Sequence, residues 1–177
     1  MDPMDVVIRR IRTEEHARLG EITAQAYLGD GLLTFGEDDG YLPVLRDVAR
    51  RAAEAEVLVA VADGEVLGGV TFVPAGGVWA DIARPGEAEF RMLAVAKEAR
   101  GRGVGEALVR ACLDRARETE GCVRVVLSSQ PSMHGAQRIY RRLGFTRTPE
   151  RDWSPVPGLA GLLTFALDPL SREVPGN

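Results

Sequence analysis

The sequence predicts a mixed α/β fold, a mostly antiparallel sheet with one parallel crossover and four helices, on three observations. The chain has 177 residues, 45% of them hydrophobic and 27% charged, enough apolar matter for one core beneath a solvated surface. Residues 57–74, VLVAVADGEVLGGVTFVP, are two β-branched runs around Asp63-Gly64, a dipeptide that accepts the positive φ angles of a tight hairpin. Beyond residue 95 the pattern changes to helix, strand, helix, as expected of a crossover that returns a strand to the sheet.

The elements follow in order. Residues 6–11 form a first strand, and Thr13 ahead of Glu14 and Glu15 reads as a helix cap with acids on the first turn. That helix runs to about Leu28. The acidic, glycine-rich loop GDGLLTFGEDDGY, residues 29–41, leads to a second helix over 42–55. After the hairpin come a Gly, Pro and Ala-rich loop at 75–86, containing Trp79, and a strand over Glu87–Val95. In residues 103–119, Val104, Ala107, Leu108 and Ala111 fall on one helical stripe. VRVVLSS, residues 123–129, is a buried strand. Residues 132–143 give a second stripe, with Ser132 as N-cap and Gly144 closing the helix. Strands at 145–148 and 162–167 flank the connector PERDWSPVPG. One domain over 1–177 is expected, with a core of about 6–168 and a flexible tail at 171–177.

Composition excludes several functions. A net charge of −4 disfavours a general grip on nucleic acid or anionic lipid, so Arg9, Arg10 and Arg12 read as a solvated strand face. Cys112 and Cys122 have no CxxC or Cys/His spacing nearby, so reduced packing residues and no metal are expected. MDPMDVVIRR lacks a charged lead with an apolar run, and no stretch approaches the ~18 apolar residues of a membrane span. A soluble cytoplasmic protein without nucleic-acid or membrane partners is expected; a homodimer stays open.

The segment ARGRGVGEALVRA, residues 99–111, carries the first chemical signal. It fails the nucleotide P-loop, having no lysine after its glycines, and it fails G-x-G-x-x-G, which would require glycine at Glu106 or Leu108. Closely spaced glycines ahead of a long helix leave backbone N–H groups free to converge on an anion, with Arg100 and Arg102 adding positive charge. A glycine-eased turn into an ordinary helix is the other reading, and it carries a propensity cost of about 1 kcal/mol per glycine.

Together with AQRIYRRLGF at 136–145, the run LAVAKEARGRGVGEALV resembles the Gcn5-related N-acetyltransferases. Arg100, Gly103 and Gly105 match that family's Gln/Arg-x-x-Gly-x-Gly/Ala turn, and Tyr140 with Leu-Gly-Phe matches its later motif. The resemblance implies the acyl-CoA N-acyltransferase fold with a splayed parallel strand pair, and acetyl-CoA as donor. It implies a pyrophosphate seat on the amides of Arg100, Gly101, Arg102, Gly103, Val104 and Gly105, and pantetheine along Leu93, Ala94 and Val95. The Val95 amide would polarise the thioester carbonyl. Met133 stands where many relatives carry an asparagine that contacts the cofactor; Ser129 and Ser132 are the candidate replacements, and His134 reads as a surface residue.

An amine of pKa ~10 must lose a proton before it attacks a thioester. Glu89 occupies the position where several relatives carry their base. Alternation puts Glu89, Arg91, Leu93 and Val95 on one face, with Glu87 in reserve; a solvated strand-end carboxylate is the other reading. Tyr140, matching the tyrosine that acts as acid in many relatives, is the candidate proton donor to the leaving sulfur, or else a core aromatic. The leading expectation is acetyl transfer from acetyl-CoA to a small-molecule or peptide amine by direct attack. A catalytically silent acyl-CoA-binding or sensor module is the alternative, and a longer acyl donor a third. The acceptor side is expected from 29–41, 75–86 and Asp152-Trp153, with Asp30, Glu37, Asp38 and Asp39 favouring a cationic amine where they face the cleft.

Overall fold

In the computed structural model, residues 5–157 and 161–170 are described; the expected frayed tail at 171–177 lies outside them. The chain order is β1 (Val7–Arg10), α1 (His16–Gly29), α2 (Leu42–Arg46), α3 (Val48–Glu54), β2 (Glu56–Ala62), β3 (Glu65–Val73), β4 (Glu87–Val95), α4 (Val104–Glu118), β5 (Arg124–Ser129), α5 (His134–Arg142), β6 (Thr146–Arg147) and β7 (Leu163–Leu167). The seven strands form one sheet, β1-β2-β3-β4-β5-β7-β6. Every pairing is antiparallel except β4 with β5. The mixed α/β reading therefore holds, with the crossover carried by α4.

Local chemistry explains three departures from expectation. Thr13 does not cap α1: a 3-10 turn at Thr13–Glu15 precedes the helix, and the Glu15 carboxylate accepts the Arg12 amide at 2.8 Å. The segment 42–55 is two helices, making five among the described residues, because Asp47 leaves the helical region at φ −82°, ψ 66° and accepts the Arg50 amide as N-cap of α3. Buried Arg51 donates to the Val44 and Leu45 carbonyls at 2.7 and 3.1 Å and so satisfies the end of α2 left open by the break. Lastly, α5 begins at His134 with Met133, not Ser132, as its cap residue and no side-chain cap bond.

The helices lie on both faces of the sheet. A Cβ on Gly69 would collide with Leu19 of α1 at 2.6 Å, so this face of β3 is covered by α1. One residue on from Gly69's partner Ala94, Val95 stands beside Gly105 of α4, on the opposite face. Phe90, Tyr140, Phe145 and Phe165 pack as an aromatic group under α5, with ring centroids 5.8–6.1 Å apart. Cys112 and Cys122 are both buried, as packing residues. Among the described residues, no helix is long and apolar enough to cross a membrane.

Candidate active site

The β4–β5 ladder stops at Glu89 opposite Val126, although β4 runs on to Val95 and β5 to Ser129. The two strands part beyond that point. A cavity of about 340 Å³ opens there, lined by Glu89, Phe90, Arg91, Met92 and Leu93 of β4, Ser128, Met133 and Tyr140, and by loop residues including Leu33, Tyr41, Asp81 and Trp153.

Strand β4 does not keep its alternation. Thr71 pairs with Arg91 but Gly69 pairs with Ala94, so Met92 and Leu93 of β4 oppose the single residue Val70 of β3, and Met92 takes φ +55°. This bulge re-aims the strand. Glu89 and Arg91 share a face, but Ala94 falls on it next, while Val95 lies on the α4 face; the expectation of one face for Glu89, Arg91, Leu93 and Val95 is corrected accordingly. The Ala96 amide donates to Leu67 at 2.8 Å, which makes that the hydrogen-bonded pair. The adjoining Val95–Gly68 pair is then the non-hydrogen-bonded one, and the Val95 N–H and C=O face away from β3, toward the gap.

Glu89 is fully buried, not a solvated strand-end charge. Its Oε1 accepts the amides of Asp81, Ile82 and Ala83 at 3.0, 2.9 and 3.0 Å. Its Oε2 has no partner among the described residues. Burial pushes the carboxyl above its ordinary value, against the opposing pull of the amides, with Asp81 adding to the rise. The result is a fixed carboxyl group in the cavity wall with one buried, unpartnered oxygen.

Glu87 is not equivalent and is removed as a reserve base. It accepts from Arg151 at 2.8 and 3.0 Å, from Arg124 at 2.8 Å and from the Arg84 amide at 2.9 Å. Burial alone would raise its carboxyl, but these donors hold it down to about 2. It is a structural tie between β4, β5 and the 3-10 turn Pro149–Arg151. Replacing Glu87 with Gln is expected to lower unfolding stability by about 3 kcal/mol, since two guanidinium groups lose their buried counter-charge. Because the folded pKa is depressed, the wild-type contribution is present above pH 4.5 and lost as pH falls toward 2. Urea unfolding at pH 7 and across pH 2–5 checks both.

Tyr140 is 4% exposed and lines the cavity from the aromatic group. Its hydroxyl forms no hydrogen bond among the described residues, and burial raises its pKa, so the phenol stays protonated. Met133 also lines the cavity, at the place of the expected asparagine contact. Ser129 does not replace it: its hydroxyl donates to the Gln130 carbonyl and accepts from buried Gln137. Ser132 is exposed and does not line the cavity, and His134 is exposed as expected.

At the start of α4, Gly101 and Gly103 both take φ +79°, and nothing lies within 4 Å of where a Cβ would stand. The helix begins at Val104 with no side-chain cap, so its first amides face an open, glycine-walled turn. Gly105 differs: a Cβ there would stand 3.3 Å from Ile139 Cδ1, so its bareness also serves the α4–α5 contact. Arg100 borders a second cavity of about 460 Å³ between α1 and the 3-10 turn Lys97–Ala99, where it meets Asp30 at 3.4 Å. An open amide turn beside a strand gap fits a phosphate-bearing thioester laid along β4.

Residues of 29–41 and 75–86 and Trp153 meet at this cavity, but most of the acids of 29–41 do not. Asp39 lines the cavity, with its oxygens on the Phe35 and Tyr41 amides at 3.2 and 2.9 Å. Asp30, Glu37 and Asp38 do not, and Asp152 is taken by Arg147, which holds its carboxyl at about 2. Sequence reasoning missed Arg91 and Asp81 as a pair. The guanidinium meets Asp81 at 3.2 Å, donates to the Trp79 carbonyl at 2.8 Å and to Tyr41 Oη at 3.3 Å, and burial raises the Asp81 carboxyl. An arginine two residues after Glu89 in the strand EAEFRMLAV was the available signal.

The sequence matches the model of the Acetyltransferase (GNAT) family over residues 19–145. It is 36% identical over 75 residues to N-acetyltransferase 8F1 of Rattus norvegicus, a match over 42% of this chain and 34% of that protein, so the likeness spans about a third of the relative's length. A GCN5-related N-acetyltransferase from Kribbella flavida is 26% identical with a TM-score of 0.65, covering 92% of this chain and 97% of that one. The structure of yncA from Salmonella typhimurium, which contains its cofactor acetyl-CoA, shares the fold at 21% identity and a TM-score of 0.69, covering 98% of each chain.

Proposed function

The chain belongs to the acetyltransferase (GNAT) family, and from that premise we propose that it moves an acetyl group from acetyl-CoA to an amine by direct attack, with Glu89 as base and Tyr140 as acid. The single observation that carries the catalytic reading is Glu89 itself: a buried carboxylate, clamped through Oε1 by three amides, with Oε2 unpartnered in the cavity wall. Acetyl-CoA supplies the activated acyl group.

Binding falls to the turn and the gap. The first amides of α4, with Gly101 and Gly103 bare, seat the pyrophosphate, and Arg100 adds charge from the rim. The gap-facing N–H and C=O of Val95 pair with the pantetheine arm as an added strand would, and the Val95 N–H donates to the thioester oxygen as negative charge gathers there.

The proton path uses two groups. Glu89 Oε2 takes the ammonium proton, its raised pKa bringing it closer to the amine than an ordinary carboxylate. The neutral nitrogen then forms the new N–C bond as the C–S bond breaks, and it sheds its second proton to solvent as the amide forms, while Glu89 releases the first. Tyr140, kept protonated by burial, hydrogen bonds the departing sulfur and gives it a proton, which Tyr140 regains from solvent. Cys112 is fully buried with its thiol pushed up by that burial, and neither cysteine lines the cavity, in keeping with direct attack.

Tyr140→Phe keeps the ring among Phe90, Phe145 and Phe165 and removes only the hydroxyl. It is expected to lower kcat by about 10²-fold with acetyl-CoA affinity unchanged. Thiol release in steady-state assays, with calorimetry for the donor, reads both. Acetyl-CoA binding without turnover of any amine would instead favour a silent sensor.

A further inference from the structure

We infer, resting on the acetyl-transfer reading, that the acceptor is a primary amine on a compact apolar body of the phenethylamine kind, and neither a polyamine nor a polyhydroxylated amine. The acceptor side of the cavity is walled by Leu32, Leu33, Trp153, Pro155, Val156 and Leu162. Val156 is half exposed, carrying apolar surface out to the mouth.

The polar groups on these walls are largely committed to one another. Ser128 accepts the Trp153 indole N–H at 2.9 Å, and Gln130 donates to the Leu32 carbonyl at 3.2 Å. Both Asp39 oxygens hold loop amides, and Arg91 is engaged by Asp81, Tyr41 and the Trp79 carbonyl. Several hydroxyls on an acceptor would be set against leucine, proline and valine without partners, which disfavours their burial. The buried carboxylate oxygen without a partner among the described residues is Glu89 Oε2. The cavity therefore offers Glu89 Oε2 as a place for a charged head, the hydroxyls of Tyr27, Thr34 and Tyr140 as further polar lining, and apolar walls for the rest of the molecule.

Charge specifies that head. Asp39, Asp81 and Glu89 line the cavity against the single guanidinium of Arg91, a balance that attracts an ammonium and repels a carboxylate. A polyamine would satisfy the charge but place its further ammonium groups along the apolar wall. On the acetyl-transfer reading the cavity of about 340 Å³ must also take the thioester end of the donor, so the body must be small.

The test compares phenethylamine, spermidine and kanamycin, using acetyl-CoA-dependent thiol release and calorimetric binding of each amine to the full chain. Phenethylamine is expected to show the highest kcat/KM, by at least about ten-fold, and Leu33→Asn to raise its KM about ten-fold with the KM for acetyl-CoA unchanged. Higher kcat/KM for spermidine or kanamycin would overturn the inference and leave acetyl transfer standing. Phenethylamine bound but never acetylated, with no other amine turned over, would uphold the pocket and sink the transfer reading. Failure of phenethylamine to bind, or an unmoved KM in folded Leu33→Asn, would overturn the inference.

Discussion

Glu89→Gln is expected to lower kcat by about 10²–10⁴-fold without weakening acetyl-CoA binding. The substitution keeps size and shape, and a carbonyl oxygen can still accept the amides of Asp81, Ile82 and Ala83 that fix Oε1. What disappears is the basic lone pair at the open oxygen. A base must be deprotonated to work, so wild-type kcat/KM falls as pH drops through the Glu89 pKa. Burial places that acid limb above the ordinary carboxylate value of 4.5. Steady-state rates with calorimetric donor affinity check the claim. A variant within a few-fold of wild type, or one that loses the donor, contradicts it.

The second large effect is on the donor. Gly103→Asp is expected to weaken acetyl-CoA binding by at least about 10²-fold, or about 2.7 kcal/mol. It places a side chain at φ +79°, where L-residues are strained, and adds negative charge to the turn assigned to the pyrophosphate. Gly121 provides the control. It also has φ +79° and nothing within 4 Å of its missing Cβ, but lies in the turn after the opposite end of α4. Gly121→Asp should cost comparable stability and leave donor affinity alone. Equal affinity in both folded variants would remove the pyrophosphate from the α4 turn.

Much of the frame was legible because local chemistry and tertiary structure agree. Asp63-Gly64 predicted a hairpin, and those residues take φ 51° and 75°; the stripe of Val104 and Leu108 predicted α4, where both are buried. The failures arise where long-range contacts decide. The break at Asp47 is hidden in a periodic run and depends on Arg51 satisfying the freed carbonyls. The bulge at Met92 gives a positive φ to a residue whose type does not announce it. Glu87 and Glu89 have the same side chain, strand and parity. They are separated in role only by their partners, the distant Arg124 and Arg151 for one and the amides of the preceding loop for the other. The open turn at Gly101 and Gly103 was readable from composition, whereas the apolar acceptor wall was not, since Leu33, Trp153 and Leu162 meet only in three dimensions.

The most direct test of proton abstraction by Glu89 is the ratio of wild-type to Glu89→Gln kcat/KM for one amine, measured from pH 7 to pH 10. At neutral pH the amine is almost wholly protonated and needs the base; near its own pKa of ~10 a large share is already free. The ratio is therefore predicted to be large at pH 7 and to shrink steadily as pH rises toward 10. A ratio that stays constant over the whole range would contradict the assignment of Glu89 as the base.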